Sequence, residues 1–214
     1  MNNQTWLKIL EQNRIIAVIR SDDINIGYQM AKSVALGGIK LIEITFNSEK
    51  PTNLIEKLSQ DLPNCIIGAG TILNSIQLKE AIACNSQFIF SPHLDVNLIK
   101  IAQKNDVQII PGTLTPTEII TALQRGVSCV KVFPIQAVGG ATYIKYIKAP
   151  LGNIPIIPTG GVTSNNASEL ILAGAIAVGL GGDLFPEELI RAESWEKITL
   201  RAKTLVEKLS IIKV

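Results

Sequence analysis

The 214-residue chain has a single histidine and three cysteines, too few of either for a metal centre or a disulfide framework. With His93 alone no His-based cluster can be built, and the scattered carboxylates follow no metal-binding spacing. Cys65, Cys84 and Cys129 are odd in number and lack ligand spacing, so they read as small buried hydrophobes in a reducing compartment. No block of Lys and Arg with interleaved aromatics occurs and the formal net charge is only +2, which disfavours nucleic acid or an anionic membrane as partner. No apolar run approaches the roughly 18 residues of a membrane span. The opening MNNQTWLKILEQN has neither the basic nor the apolar region of a secretory signal. These absences leave a cytoplasmic protein acting on a small molecule as the expectation.

What the chain does have is apolar mass in a repeating order. Hydrophobic residues make up 47% and charged residues 18%, a globular composition sufficient for one domain over 1–214. Short β-rich runs at 15–20, 41–45, 65–69, 88–91, 108–111, 129–133, 154–158 and 175–179 alternate with amphipathic stretches of helical length near 24–36, 51–60, 75–83, 95–104, 115–125, 140–148 and 164–173. A closing helix is expected at 194–209, and an extra N-terminal helix at 5–12 to plug the bottom of a barrel. Thr115-Pro116-Thr117-Glu118 supplies a cap, a first-turn proline and an acidic first turn, while Gly37-Gly38, Gly126 and Gly174 fall where helices stop. The strands show little polar alternation, as strands covered on both faces do. Eight strand–helix units in so short a chain predict a single (β/α)8 TIM barrel.

Function in such a barrel gathers at the C-terminal ends of its strands. Those positions hold Arg20, Glu43 with Thr45, Gly70-Thr71, Pro92-His93, Pro111-Gly112, Lys131 with Phe133, Thr159-Gly160-Gly161 and Gly181-Gly182. Lys131 lies in an otherwise apolar strand. A lysine at a poorly solvated barrel mouth is a candidate amine nucleophile toward a carbonyl; its plain alternative is a side chain that reaches out to water. Glu43, also in an apolar strand, is a candidate proton shuttle, or else a structural partner of Lys131 or Arg20. Arg20 can hold a carboxylate through two parallel hydrogen bonds, and the Thr71 hydroxyl can assist after the small residues Gly68-Ala69-Gly70. The glycine pairs at 160–161 and 181–182 suit an anion held by backbone N–H groups, although such pairs also serve ordinary turns. Pro186-Glu187-Glu188 can open a short helix there, and Asp183 would repel a phosphate if it pointed inward. His93 reads as a bystander, and Ser91 lacks a nucleophile elbow.

Six motifs in order at these strand ends identify a resemblance to the bifunctional 4-hydroxy-2-oxoglutarate/2-dehydro-3-deoxy-phosphogluconate aldolases, which are class I enzymes. They are Ile-Glu-Ile-Thr at 42–45, Gly-Ala-Gly-Thr at 68–71, Ser-Pro-His at 91–93, Pro-Gly-Thr-Leu-Thr-Pro-Thr-Glu at 111–118, Lys-Val-Phe-Pro at 131–134 and Pro-Thr-Gly-Gly-Val at 158–162. The likeness runs from about Arg14 to Phe185. It implies that Lys131 forms the Schiff base, that Glu43 is the general acid/base, and that Arg20 and Thr71 lie near the pyruvate carboxylate. It further implies Pro92 and Phe133 as pocket walls, with Thr159, Gly160, Gly161, Gly181 and Gly182 toward the phosphate end. A metal-free, cofactor-free homotrimer follows from the same resemblance. Two departures accompany it: many members carry Arg where this chain has Asn47, and Ser where it has Gly182 followed by Asp183. The change at 182–183 favours the unphosphorylated substrate, whereas at 47 the missing cation would weaken pyruvate binding unless Arg20 compensates. The rival readings are a phosphate-binding barrel isomerase or synthase, which needs no covalent lysine, and a non-catalytic barrel that binds a keto acid.

Overall fold

The computed structural model describes residues 2–212. Its strands are β1 (Ile15–Ile19), β2 (Leu41–Thr45), β3 (Ile66–Gly70), β4 (Phe88–Phe90), β5 (Gln108–Ile110), β6 (Gly112–Thr113), β7 (Val130–Val132), β8 (Ile156–Pro158) and β9 (Val178–Leu180). Its helices are α1 (Asn3–Asn13), α2 (Ile24–Leu36), α3 (Pro51–Asp61), α4 (Ser75–Ala83), α5 (Val96–Lys104), α6 (Pro116–Gln124), α7 (Ala141–Leu151), α8 (Ala167–Leu172), α9 (Glu187–Arg191) and α10 (Trp195–Ser210). The alternation is that of a parallel α/β fold. Strand and helix boundaries follow the sequence reading to within about three residues at most ends. At α6 the expected cap is a full capping box, with Thr115 and Glu118 satisfying each other's backbone N–H groups.

The sequence predicts eight strands in one closed barrel, whereas the hydrogen bonding divides nine strands, among the described residues, between two parallel sheets. One runs β5-β4-β3-β2-β1-β9 and the other β6-β7-β8. The fifth expected strand is cut in two at Pro111. Proline has no N–H for a ladder, so the chain pairs with β4 before it and with β7 after it.

Strand parity positions everything else. Ile15, Ala17 and Ile19 of β1, with Ile42 and Ile44 of β2, face the helices and join the larger core. The intervening residues face inward. At the N-terminal ends of the strands, inward Ile16, Leu41, Phe88, Cys129, Ile157 and Ala177 meet Trp6 and Leu10 of α1, forming a second, separate core. Trp6 stacks near Phe88 at 5.3 Å between centroids, and Phe88 meets Phe90 edge-on at 5.7 Å. The expected N-terminal plug is therefore present. Residues buried on both faces explain why the strands read as unbroken apolar runs. All three cysteines are free and buried; burial pushes the Cys129 thiol up to about 12, in keeping with an inert hydrophobe. Among the described residues no helix is long and apolar enough to cross a membrane.

Candidate active site

Continuing along the same inward parity toward the strand C-termini, 18 and 20 follow Ile16, 43 and 45 follow Leu41, and 131 and 133 follow Cys129. Those upper positions line a cavity of about 1000 Å³. Every residue the sequence singles out for a site borders it: Arg20, Glu43, Thr71, Pro92, Lys131, Phe133, Thr159, Gly160, Gly161, Gly181 and Gly182. His93, by contrast, is exposed beyond the lining, its ring next to the Ser91 hydroxyl at 3.1 Å. Among the described residues no group of His, Cys, Asp or Glu is arranged to hold a metal ion.

Lys131 is 6% exposed. Its backbone is pinned within β7, between Gly112 of β6 and Ile157 of β8. Its Nζ lies 5.4 Å from the Phe90 ring centroid and 5.1 Å from that of Phe133, so two aromatic faces flank the amine. The side chain does not escape to bulk water. It ends in the cavity.

Glu43 is 1% exposed, and among the described residues its Oε1 has no hydrogen-bond partner. Neither Lys131 nor Arg20 forms an ion pair with it among the described residues. Burial raises the carboxyl's pKa, while the charges of Lys131 and then Arg20 pull it back. A carboxyl held between these opposing influences suits proton transfer better than static pairing. The room it occupies is made by Gly70 on the neighbouring strand, where a Cβ would stand 1.7 Å from Glu43 Oε1. The glycine of Gly-Ala-Gly-Thr is thus required by the glutamate of Ile-Glu-Ile-Thr. Thr71, next in the chain, holds a positive φ of 59° unusual for a threonine, a strained conformation of the kind found at ligand sites.

The description "KDPG and KHG aldolase" belongs to the family model that this chain matches over residues 7–201. The chain belongs to the KDPG and KHG aldolase family. It is 32% identical to the KHG/KDPG aldolase of Escherichia coli K12, covering 93% of each chain, and 33% identical to the 2-dehydro-3-deoxy-phosphogluconate aldolase of Haemophilus influenzae, covering 95% of this chain and 96% of that one. A crystal structure of the KDPG aldolase of Legionella pneumophila, with pyruvate captured as a covalent carbinolamine, superposes with a TM-score of 0.87 at 28% identity, covering 96% of this chain and 98% of that one.

Within this aldolase family, the chain's departures acquire positions. Asn47 lies outside the cavity lining, and its Oδ1 accepts a hydrogen bond from Arg20 Nε at 3.2 Å. Gly182 borders open space, with nothing within 4 Å of where a Cβ would stand. Asp183 borders the cavity, but its carboxylate is engaged: its Oδ2 accepts from the Ser164 N–H at 2.9 Å and lies 3.6 Å from Arg201 Nη2. Its charge is partly answered by Arg201, and the repulsion expected from sequence is weakened. Gly160 and Gly161, with φ of 87° and 79°, fold the loop after β8 over Phe133 and Gln136.

Several contributors went unread in the sequence. Phe90, inward on β4, looks like core, and only the fold sets it below Lys131. Asp22 and Asp23 bring further carboxylates to the cavity rim. Their one sequence signal is their place in loops that follow strand ends.

Proposed function

We propose that this chain is a class I aldolase that cleaves a 2-keto acid to pyruvate and an aldehyde, with Lys131 as the Schiff-base nucleophile. The observation that carries the proposal is the pairing, in one cavity, of a buried lysine at 6% exposure with a buried carboxyl whose Oε1 is unpartnered. The covalent pyruvate adduct named for the Legionella aldolase is the intermediate such a lysine would form.

In the proposed mechanism the neutral amine of Lys131 adds to the C2 carbonyl, giving a carbinolamine that loses water to an iminium. Glu43 takes the proton of the C4 hydroxyl, the C3–C4 electron pair moves into the iminium, and the aldehyde departs. The enamine is protonated at C3, and water hydrolyses the iminium to release pyruvate and free the lysine. Arg20 and Thr71 hold the carboxylate, which supplies orientation. Pro92 and Phe133 form the walls, and Thr159 with the loops at 160–161 and 181–182 takes the far end. The aldehyde is glyceraldehyde 3-phosphate from 2-dehydro-3-deoxy-6-phosphogluconate, or glyoxylate from 4-hydroxy-2-oxoglutarate. No metal or cofactor enters the scheme.

The proposal extends to the architecture: residues 1–214 form one domain, a closed (β/α)8 barrel. Closure is supported at one seam by the single residue, Pro111, that separates β5 from β6, and at the other by the parallel bridge between Thr159 and Gly179. A cytoplasmic homotrimer completes the reading: the sequence resemblance implies the trimer, and a cage designed by fusing symmetric oligomeric domains is among the similar structures.

Borohydride reduction in the presence of pyruvate tests the chemistry. One reduced pyruvyl unit is expected on the peptide carrying Lys131, and Lys131→Arg is expected to abolish it, because a guanidinium stays protonated. Labelling spread over surface lysines with Lys131 untouched would overturn the proposal. No adduct, together with tight binding of a phosphosugar, would favour the isomerase or synthase class.

A further inference from the structure

Arg20 is exposed at the end of β1, on the loop to α2, and borders the cavity. Its guanidinium makes one hydrogen bond among the described residues, from Nε to Asn47 Oδ1 at 3.2 Å. That contact uses one edge of the fork and leaves the two Nη groups for a ligand. Asn47 stands on a different loop, the one between β2 and α3. The two loops are joined independently of it: Ser48 Oγ accepts from the Ser21 N–H at 3.2 Å and lies 3.1 Å from Thr45 Oγ1, and the Glu49 N–H donates to the Ser21 carbonyl at 2.8 Å. Asn47 therefore sits on a fixed platform, with its carbonyl against an otherwise free arginine.

An exposed arginine samples many rotamers, and a ligand that orders it loses affinity in doing so. We propose that Asn47 is a positioning residue that pre-orders Arg20, so that its Nη edge meets the carboxylate of the keto acid. The cation that meets the carboxylate is Arg20, aimed by an amide at 47. A neutral acceptor is suited to this task. An aspartate would hold the same edge but would set a negative charge beside the carboxylate to be bound.

This inference rests on the aldolase reading, and the experiment separates the two. Steady-state kinetics with the keto-acid substrate and the pyruvate concentration giving half-maximal borohydride trapping are measured for the wild type, Asn47→Ala, Asn47→Asp, Asn47→Arg, Arg20→Ala and the double alanine variant. Ordering one freed side chain on binding is expected to raise KM and the half-trapping concentration of Asn47→Ala about 3- to 10-fold, with a smaller change in kcat. Arg20→Ala, which removes a charged hydrogen-bonding group, is expected to raise both by about 10- to 100-fold. In the Arg20→Ala background the Asn47→Ala change is expected to add nothing, because there is no guanidinium left to position. Asn47→Asp is expected to bind at least as weakly as Asn47→Ala, and Asn47→Arg to bind pyruvate as well as the wild type. An unchanged KM in Asn47→Ala, or an equal further rise in the double variant, would overturn the positioning role while leaving the aldolase intact. Failure of the wild type to trap pyruvate would overturn the aldolase reading itself.

Discussion

Leu41 and Glu43 are two residues apart on the inner face of β2, yet one is sealed beneath α1 and the other borders the cavity. The same division recurs at β7, where Cys129, just before the strand, lies in the plug and Lys131 in the cavity, and on β1, with Ile16 below and Val18 above. The lower layer is filled with the buried side chains of Trp6, Phe88 and Phe90, so its residues act through volume. The upper layer keeps a void of about 1000 Å³ and fills its border with groups that carry charge or expose backbone. One strand thus delivers stability at one depth and chemistry at the next. Phe90 belongs to both, since it meets Phe88 on one side and Lys131 Nζ on the other. The plug is the floor beneath the proposed nucleophile, Lys131.

The contrast is tested most severely by Glu43→Gln. The amide keeps the shape above Gly70 but cannot exchange a proton, so turnover is expected to fall about 100- to 10,000-fold, with pyruvate trapping at saturation much less affected. Stability is expected to move the other way. Burial raises the carboxyl's pKa in the folded chain, so the folded state binds the proton more tightly than the unfolded one, and stability falls as pH rises past the unfolded value. Glutamine does not ionise; the variant should therefore be the more stable protein at neutral pH and lose that advantage in acid. Thermal melts from pH 4 to 8 beside single-turnover assays check both halves. A wild-type turnover rate would mean that another group or bulk water carries the proton.

In the lower layer, Trp6→Ala should act on stability and leave the chemistry alone. Trp6 is wholly buried against Phe88, and removing so large a side chain from a core costs about 3–5 kcal/mol. Denaturant unfolding is expected to show that loss, while kcat per folded molecule stays near wild type. A fall in kcat larger than the unfolded fraction explains would show that the plug and the Lys131 floor are not separable.

Strand periodicity made most of this legible in advance, because the residues that break an apolar run at its C-terminal end, Glu43 and Lys131, are the ones the fold turns into the cavity. The division of the strands between two sheets was less legible. Pro111 was visible as the end of a strand, but its division of that strand between two sheets depends on which neighbours its flanking residues meet across space. Phe90 was hidden because an inward aromatic beneath a lysine looks the same in sequence as one in a core. Asn47 showed only as a missing cation, since its contact with Arg20 spans 27 positions and two loops. Asp183 showed only part of its setting: its charge is obvious in sequence, but the partners that engage it, Ser164 and Arg201, are remote from it along the chain.

The smallest effects are expected at the rim, where Asp183 tests whether a charge at the cavity's far end discriminates substrates. Its carboxylate accepts from the Ser164 N–H, and its carbonyl accepts from Arg201 Nε and Nη2 at 3.1 and 2.7 Å. Lys208 Nζ donates to the Ser164 carbonyl at 2.6 Å, so α10 braces both loops at this end. Asp183→Asn can retain an acceptor for Ser164 while removing the charge. If the carboxylate serves the loops, its KM for the phosphorylated six-carbon keto acid should stay within about threefold of wild type, the scale of a partly exposed ion pair. Asp183→Ala loses the Ser164 hydrogen bond as well, and its KM for that substrate should rise about 2- to 10-fold as the loop loosens. The KM for 4-hydroxy-2-oxoglutarate, which carries no phosphate to place there, should move less in both variants. Repulsion would give a different pattern, with both substitutions lowering KM for the phosphorylated substrate. That result would mean that Asp183 reaches the ligand in solution and that the rim, like the layer below it, works through charge.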